Sequence, residues 1–223
     1  MKAETKDKLG SWYTTYPTTF DKIDNIVKAL DFKNICPAPQ DILNCFYKCK
    51  YENLRVIFVG QDPYSTSFNF SFKNYLHANG LAFSVVHECQ VLPPSLQKIE
   101  EQVLDQGYIF LDKTLESWAE QGVLLLNSSL TTEKNTPAVH INVWKPFIEE
   151  LLKEVTINNP GLPIALIGKY AQGFESVLSS NSHIFKVEHP AAASYNNRTW
   201  NSDGIFLKIN GILHKNNGET ISW

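Results

Sequence analysis

Four short apolar runs punctuate the chain, each bounded by turn or polar residues: LRVIFVG (54–60), GVLLLN (122–127), LPIALIG (162–168) and HIFKVEH (183–189). Their length and near-continuous hydrophobicity predict strands buried on both faces. Between and around them, apolar residues recur at helical spacing: Ile23, Ile26, Val27 and Leu30; Leu96, Ile99 and Val103 after a Pro-Pro-Ser; and Phe147, Ile148, Leu151, Leu152 and Val155. A last helix is expected after Ser202-Asp203, a pair able to cap it, with Ile205, Ile209 and Ile212 on one face. Strands alternating with helices require crossover connections, hence a parallel sheet covered on both sides. The pattern predicts a three-layer α/β/α sandwich around a central four-stranded parallel sheet.

In such sheets ligands bind outside the carboxyl ends of the strands. The informative residues are therefore those that follow each run: Gln61-Asp62-Pro63-Tyr64, Asn127-Ser128-Ser129, Gly168-Lys169-Tyr170 and His189-Pro190. A carboxylate, a carboxamide, a cation and an imidazole are brought to one edge by this topology.

The chain has 223 residues, with no repeat, low-complexity tract or pooled Pro/Gly linker, and reads as a single domain over 1–223. No run has the length of a bilayer span, and the start, MKAETKDKLGSW, lacks the apolar centre of a signal peptide, so an intracellular protein without a membrane role is expected. Cys36, Cys45, Cys49 and Cys89 form no paired CxxC set and sit in helical or core segments, which points to buried free thiols rather than disulfides or a metal site. Neither metal nor cofactor is called for. A net charge of -3 leaves nucleic acid open as a partner, because phosphates are held by local patches and backbone N–H groups.

Taken singly, Asp62 reads as a turn residue or cap, Asn127 as a turn closer and His189 as an ordinary satisfied histidine. Together they suit a planar polar heterocycle. A carboxamide offers donor and acceptor to a base edge, aromatic rings offer a stacking face, and a His N–H can stabilise charge developing on a carbonyl oxygen. A carboxylate can orient water or stabilise a cationic sugar. That set fits cleavage of an N-glycosidic bond.

The residues also resemble a known family. GQDPY (60–64), GLAFSV (80–85), LPPSLQ (92–97), WAEQGVLLLN (118–127), GKYAQ (168–172), HP (189–190) and the closing ISW are similar, in order and spacing, to family 1 uracil-DNA glycosylases. The resemblance implies a monofunctional, metal-independent enzyme that flips uracil out of single- or double-stranded DNA, hydrolyses its glycosidic bond and starts base-excision repair. In it Asp62 is the catalytic carboxylate, orienting the water or stabilising the oxocarbenium-like sugar, and His189 is the neutral donor to the uracil oxygen. Asn127 reads the base edge, Phe83 stacks on the base, Tyr64 fills the space where thymine carries its methyl, and Gln61 contributes backbone contacts. Pro63 stiffens the turn. DNA contacts are implied for Pro94 and Ser95 in the proline-rich loop, Gly168 and Lys169 in the Gly-Ser loop, and the segment from His189 to Arg198, including Ala193 and Ser194, in the minor-groove loop. A DNA-mimicking inhibitor of the family is a further implied partner; a monomer is the default.

Four departures stand out. The family's HPSPLS reads HPAAAS here, placing Ala193 where a leucine wedge fills the vacated stack; a preference for single strands follows unless Tyr195 or Trp200 serves as the wedge. Ser65 replaces a histidine after Tyr64, and Lys169 replaces the serine of the Gly-Ser loop. The tract STSFNFSFKNYLHAN (65–79) is longer than the family usually has and rich in aromatics; it reads as a DNA surface, a protein-docking patch, or a hairpin-like excursion folded onto the core. Ala193, Ser65 and the aromatic tract favour an alternative, a glycosylase-fold DNA-binding or polymerase-accessory subunit with weakened catalysis, against which the joint presence of Asp62, Asn127 and His189 argues; a third reading, a glycosylase of altered base range, has Tyr64 and Asn127 against it.

Overall fold

The computed structural model describes residues 1–216 and 218–223. All four runs form strands. They are β1 (Val56–Gly60), β4 (Val123–Asn127), β5 (Pro163–Ile167) and β6 (His183–Val187), with an antiparallel hairpin, β2 (Ser67–Phe70) and β3 (Lys73–Leu76), between the first two. The central sheet has the order β4-β1-β5-β6 with every pairing parallel, so the predicted sandwich is the observed one.

Side chains along β1, β4 and β5 are buried whichever way they point, which requires cover on both faces of the sheet. Phe58 packs into one aromatic cluster with Trp118, Phe206 and Trp223. A second cluster joins Trp12, Phe20, Phe46 and Phe147, and ties the short N-terminal helices to the long helix that follows β4. The four cysteines are buried free thiols. No helix among the described residues is long and apolar enough to cross a membrane.

Helices α1 (Pro94–Asp105), α2 (Ile141–Asn158), α3 (Pro190–Tyr195) and α4 (Ile205–Asn217) carry the site's supports. α2 begins earlier than its apolar pattern suggests, because the chain remains helical through Pro146 in its second turn, where only one backbone bond is given up. The expected cap of α4 is displaced. Gly204, at φ 65°, is the N-cap, while the Ser202 hydroxyl donates to Gln102 Oε1 (2.7 Å) and accepts from Gln106 Nε2 (3.0 Å), fastening α4 to α1.

The register places Gly60 opposite Asn127 at the carboxyl ends of β1 and β4. Beyond that point the chain 128–140 folds back over the Gln61–Ser65 turn. Ser128 N and Oγ both donate to Gly60 O, Ser129 N to Gln61 O, and Asn135 N to Ser65 O. The turn that follows β1 is thus clamped by the loop that follows β4.

Candidate active site

A cavity of about 510 Å³ lies over these strand ends, lined among others by Gln61, Asp62, Tyr64, Phe83, Ser95 and His189. Slightly larger cavities exist elsewhere, but neither gathers a carboxylate, an imidazole and an aromatic ring at the sheet's carboxyl edge.

Asp62 is half-buried, and each carboxylate oxygen already accepts one hydrogen bond: Oδ1 from Gln61 Nε2 (2.9 Å) and Oδ2 from the Ala138 N–H (2.6 Å). Burial holds its pKa above the usual carboxylate range, opposed in part by these bonds and by the Thr132 hydroxyl. Two fixed bonds leave lone pairs on both oxygens for a water or a sugar.

Phe83 is buried at φ 65°, a left-handed conformation that bulky residues rarely hold. The Tyr64 hydroxyl donates to the Phe83 carbonyl (3.1 Å), so the two rings are positioned as a pair. Gly60 supplies the room. A Cβ there would lie 2.8 Å from Asn127 Oδ1 and 3.0 Å from Phe83 Cζ, which also shows how closely the carboxamide and the ring approach one another. Asn127 is 4% exposed, and its side chain makes no hydrogen bond to any described residue.

His189 is held from three sides. Its ring lies 5.8 Å from that of Phe83, and Gly168, at φ 88°, leaves the space its Cβ and ring occupy. Its Nδ1 accepts the Ala191 N–H (3.2 Å), making it the N-cap of α3. An Nδ1 that accepts places the imidazole proton on Nε2. Burial lowers the His189 pKa, so the ring stays neutral and presents Nε2–H as a donor. Placing a methyl at position 168 would meet His189 Cβ at 3.0 Å and strain the backbone, so Gly168→Ala is expected to lower turnover by about tenfold with little change in KM; equal turnover in steady-state assays would show that the ring needs no such backing.

The remaining expected residues divide. Pro63, Pro94 and Ser95 line the cavity, and Ser95 also reaches the Tyr64 hydroxyl. Lys169 is exposed at the start of a short helix beside Gly168. Arg198 is exposed with its guanidinium paired to both oxygens of Glu188, and Ser194 is half-buried. Ala193 requires correction. It is 0% exposed, packed where α3 meets α1, so its methyl cannot enter a base stack. Trp200 is also excluded: it is 1% exposed and donates Nε1–H to Glu188 O. Tyr195, 83% exposed at the end of α3, lines the cavity mouth.

Thr132, Pro137 and Ala138 were not legible as site residues. Ala138 acts through its backbone N–H, which every residue but proline carries, so its identity gives no signal.

The family model described as the Uracil DNA glycosylase superfamily matches residues 46–213. A protein of Amoebophilus asiaticus named uracil-DNA glycosylase is 32% identical over 210 residues, 92% of this chain and 90% of that one. Its namesake in Mycoplasmopsis pulmonis is 35% identical over 199 residues, 86% and 85% of the two chains. Among solved structures, mimivirus uracil-DNA glycosylase superposes with a TM-score of 0.78 at 26% identity, covering 100% of this chain and 87% of that one. A mimivirus UNG Y322F in complex with UGI gives 0.77 at 25%, covering 95% and 84%.

Proposed function

The chain belongs to the uracil DNA glycosylase superfamily, and from that premise we propose that it is a family 1 member acting as a single domain. It is an enzyme that excises uracil from DNA and so starts base-excision repair; the accessory-subunit reading is not favoured. The observation that supports the site assignment is the Asn127 carboxamide, held beside Phe83 in a residue only 4% exposed and without a hydrogen bond to any described residue. A carboxamide whose donor and acceptor are both unengaged at so little-exposed a residue is available to the edge of a bound base.

In the proposed mechanism the flipped base lies against Phe83 with its edge on Asn127. Uracil offers this carboxamide an acceptor and a donor, whereas cytosine presents an amino donor in place of the first. Tyr64, pinned to the Phe83 carbonyl, closes the space beside C5 against the thymine methyl. As the bond between the sugar C1′ and the base N1 lengthens, positive charge grows on the sugar and negative charge on the base. Asp62 stabilises the first and holds the attacking water; His189 Nε2–H stabilises the second. Water oxygen bonds to C1′, its proton ends on the departed uracil, and an abasic site remains. Chromatography of products from oligonucleotides carrying uracil, cytosine or thymine should show free uracil alone; release of either other base contradicts these assignments.

Pro94, Ser95, Gly168, Lys169 and Ser194 are proposed to hold the strand's phosphates, and Tyr195 to take the wedge role that Ala193 cannot fill. Tyr195→Ala should then slow excision from duplex DNA by about tenfold more than from single strands, since only the duplex needs its vacated stack supported. An unchanged ratio of the two rates would remove Tyr195 from that role. A DNA-mimicking inhibitor remains a proposed partner, supported by the likeness to the mimivirus UNG in complex with UGI, and a monomer is the proposed state.

A further inference from the structure

The tract 65–79 forms a hairpin that only its root packs against the core. β2 and β3 pair Phe68 with Tyr75 and Phe70 with Lys73, and residues paired directly across two strands share a face. One face is therefore Phe68, Phe70, Lys73 and Tyr75; the other is Ser67, Asn69, Asn74 and Leu76. Phe68 and Tyr75 stack at 5.7 Å, and Phe68 joins the core at the root. Outward from there the aromatic character is not buried. Phe70 and Lys73 are exposed, and Phe72, at the tip, is fully exposed at φ 63°.

That tip contradicts what folding alone favours. A two-residue turn at positive φ suits glycine or asparagine, yet Ser71 and Phe72 occupy it, and the larger packs against nothing. The hairpin's footing is equally specific. Ser65 and Thr66, which lead into β2, line the active-site cavity; His77, which leaves β3, bonds the Thr66 hydroxyl (3.0 Å) and packs edge-on to Tyr64. The hairpin thus springs from the cavity rim, inserted between the Tyr64 turn and the Phe83 turn. It contains Lys73 and no carboxylate, in a chain of net charge -3.

We propose that this hairpin is an additional DNA-binding element, a finger whose Phe72, Phe70 and Lys73 engage single-stranded bases and phosphate flanking the uracil held in the cavity. Exposed aromatic faces interleaved with a cation bind bases of any identity, because every base has a π-face. Six residues of extended chain separate Thr66 from Phe72, a reach of roughly 20 Å, so the contact falls several nucleotides from the flipped base. The proposal rests on the reading of the cavity as the uracil site.

The test compares wild type, Phe72→Ala, Phe70→Ala/Phe72→Ala and Phe72→Tyr. Fluorescence anisotropy measures affinity for a uracil-free single strand of about 25 nucleotides, and excision is measured on that length and on about five nucleotides centred on uracil, too short to reach the tip. The alanine variants should lose about tenfold or more in affinity and in kcat/KM on the long strand, keep wild-type rates on the short one, and Phe72→Tyr should retain both. Equal affinity in all variants overturns the proposal, as does an equal loss in Phe72→Tyr. Light scattering that shows the alanine variants losing self-association with DNA affinity intact would assign the tip to a second copy instead. Should the wild type release no uracil, the reading of the cavity fails, while the affinities for uracil-free DNA still decide the role of the hairpin.

Discussion

Asp62→Asn is expected to slow uracil release by about 10²- to 10⁴-fold in single-turnover assays while binding of uracil-containing DNA persists. The variant is unusually clean because the site can absorb it. An asparagine oxygen can still accept the Ala138 N–H, and the Gln61 carboxamide can turn its own oxygen toward the new amide, so the turn keeps both of its bonds. What disappears is the negative charge. Burial raises the Asp62 pKa in the folded protein, so at neutral pH folding works against its ionised form. A neutral amide relieves that penalty, and thermal unfolding should show Tm unchanged or raised. Rate loss without stability loss is the signature of a charge kept for the reaction; a Tm falling in step with the rate would make Asp62 a structural residue.

His189→Ala should cost about 10²- to 10³-fold in kcat, the range for removing one preorganised donor to a developing oxyanion, with KM little changed. The pH dependence separates its role from that of Asp62. His189 works neutral, with a pKa lowered by burial, so it loses its active form as pH falls through a value below the ordinary histidine one. Protonation would also place a proton on Nδ1, against the Ala191 N–H it accepts. Asp62 works ionised and loses its active form as pH falls through a value above the ordinary carboxylate one. Both losses lie on the acid side. The wild-type rate should fall with a slope approaching two at low pH and carry no alkaline limb from this pair, and His189→Ala should reduce the acid slope to one. A His189→Ala profile with the wild-type slope would mean that the imidazole does not titrate in the reaction.

The sheet was legible because each strand is buried on both faces, leaving short unbroken apolar runs whose ends mark the site. Asp62, Asn127 and His189 were legible for the same reason: each stands within two residues of a strand's end. The clamp from 128–140 was not. Its working groups are backbone N–H and C=O, which the sequence does not distinguish, and the donor to Asp62 is one of them. Ala193 was set at the wedge position because matching a loop position by position assumes the loop's conformation. Here 190–195 is helical, which turns Ala193 into the core against α1 and leaves Tyr195 at the cavity mouth. The hairpin's aromatic composition was visible, but which rings are buried depends on cross-strand register, and that emerged only with the fold.

The decisive measurement uses a single-stranded, end-labelled oligonucleotide with one central uracil, treated with the wild-type chain in the presence of a chelator and then with alkali to cut abasic sites. Cleavage at the uracil alone, reduced by at least about a hundredfold in both Asp62→Asn and His189→Ala, is the result expected of the cavity described here. An oligonucleotide that the folded wild type binds but leaves uncut would contradict it.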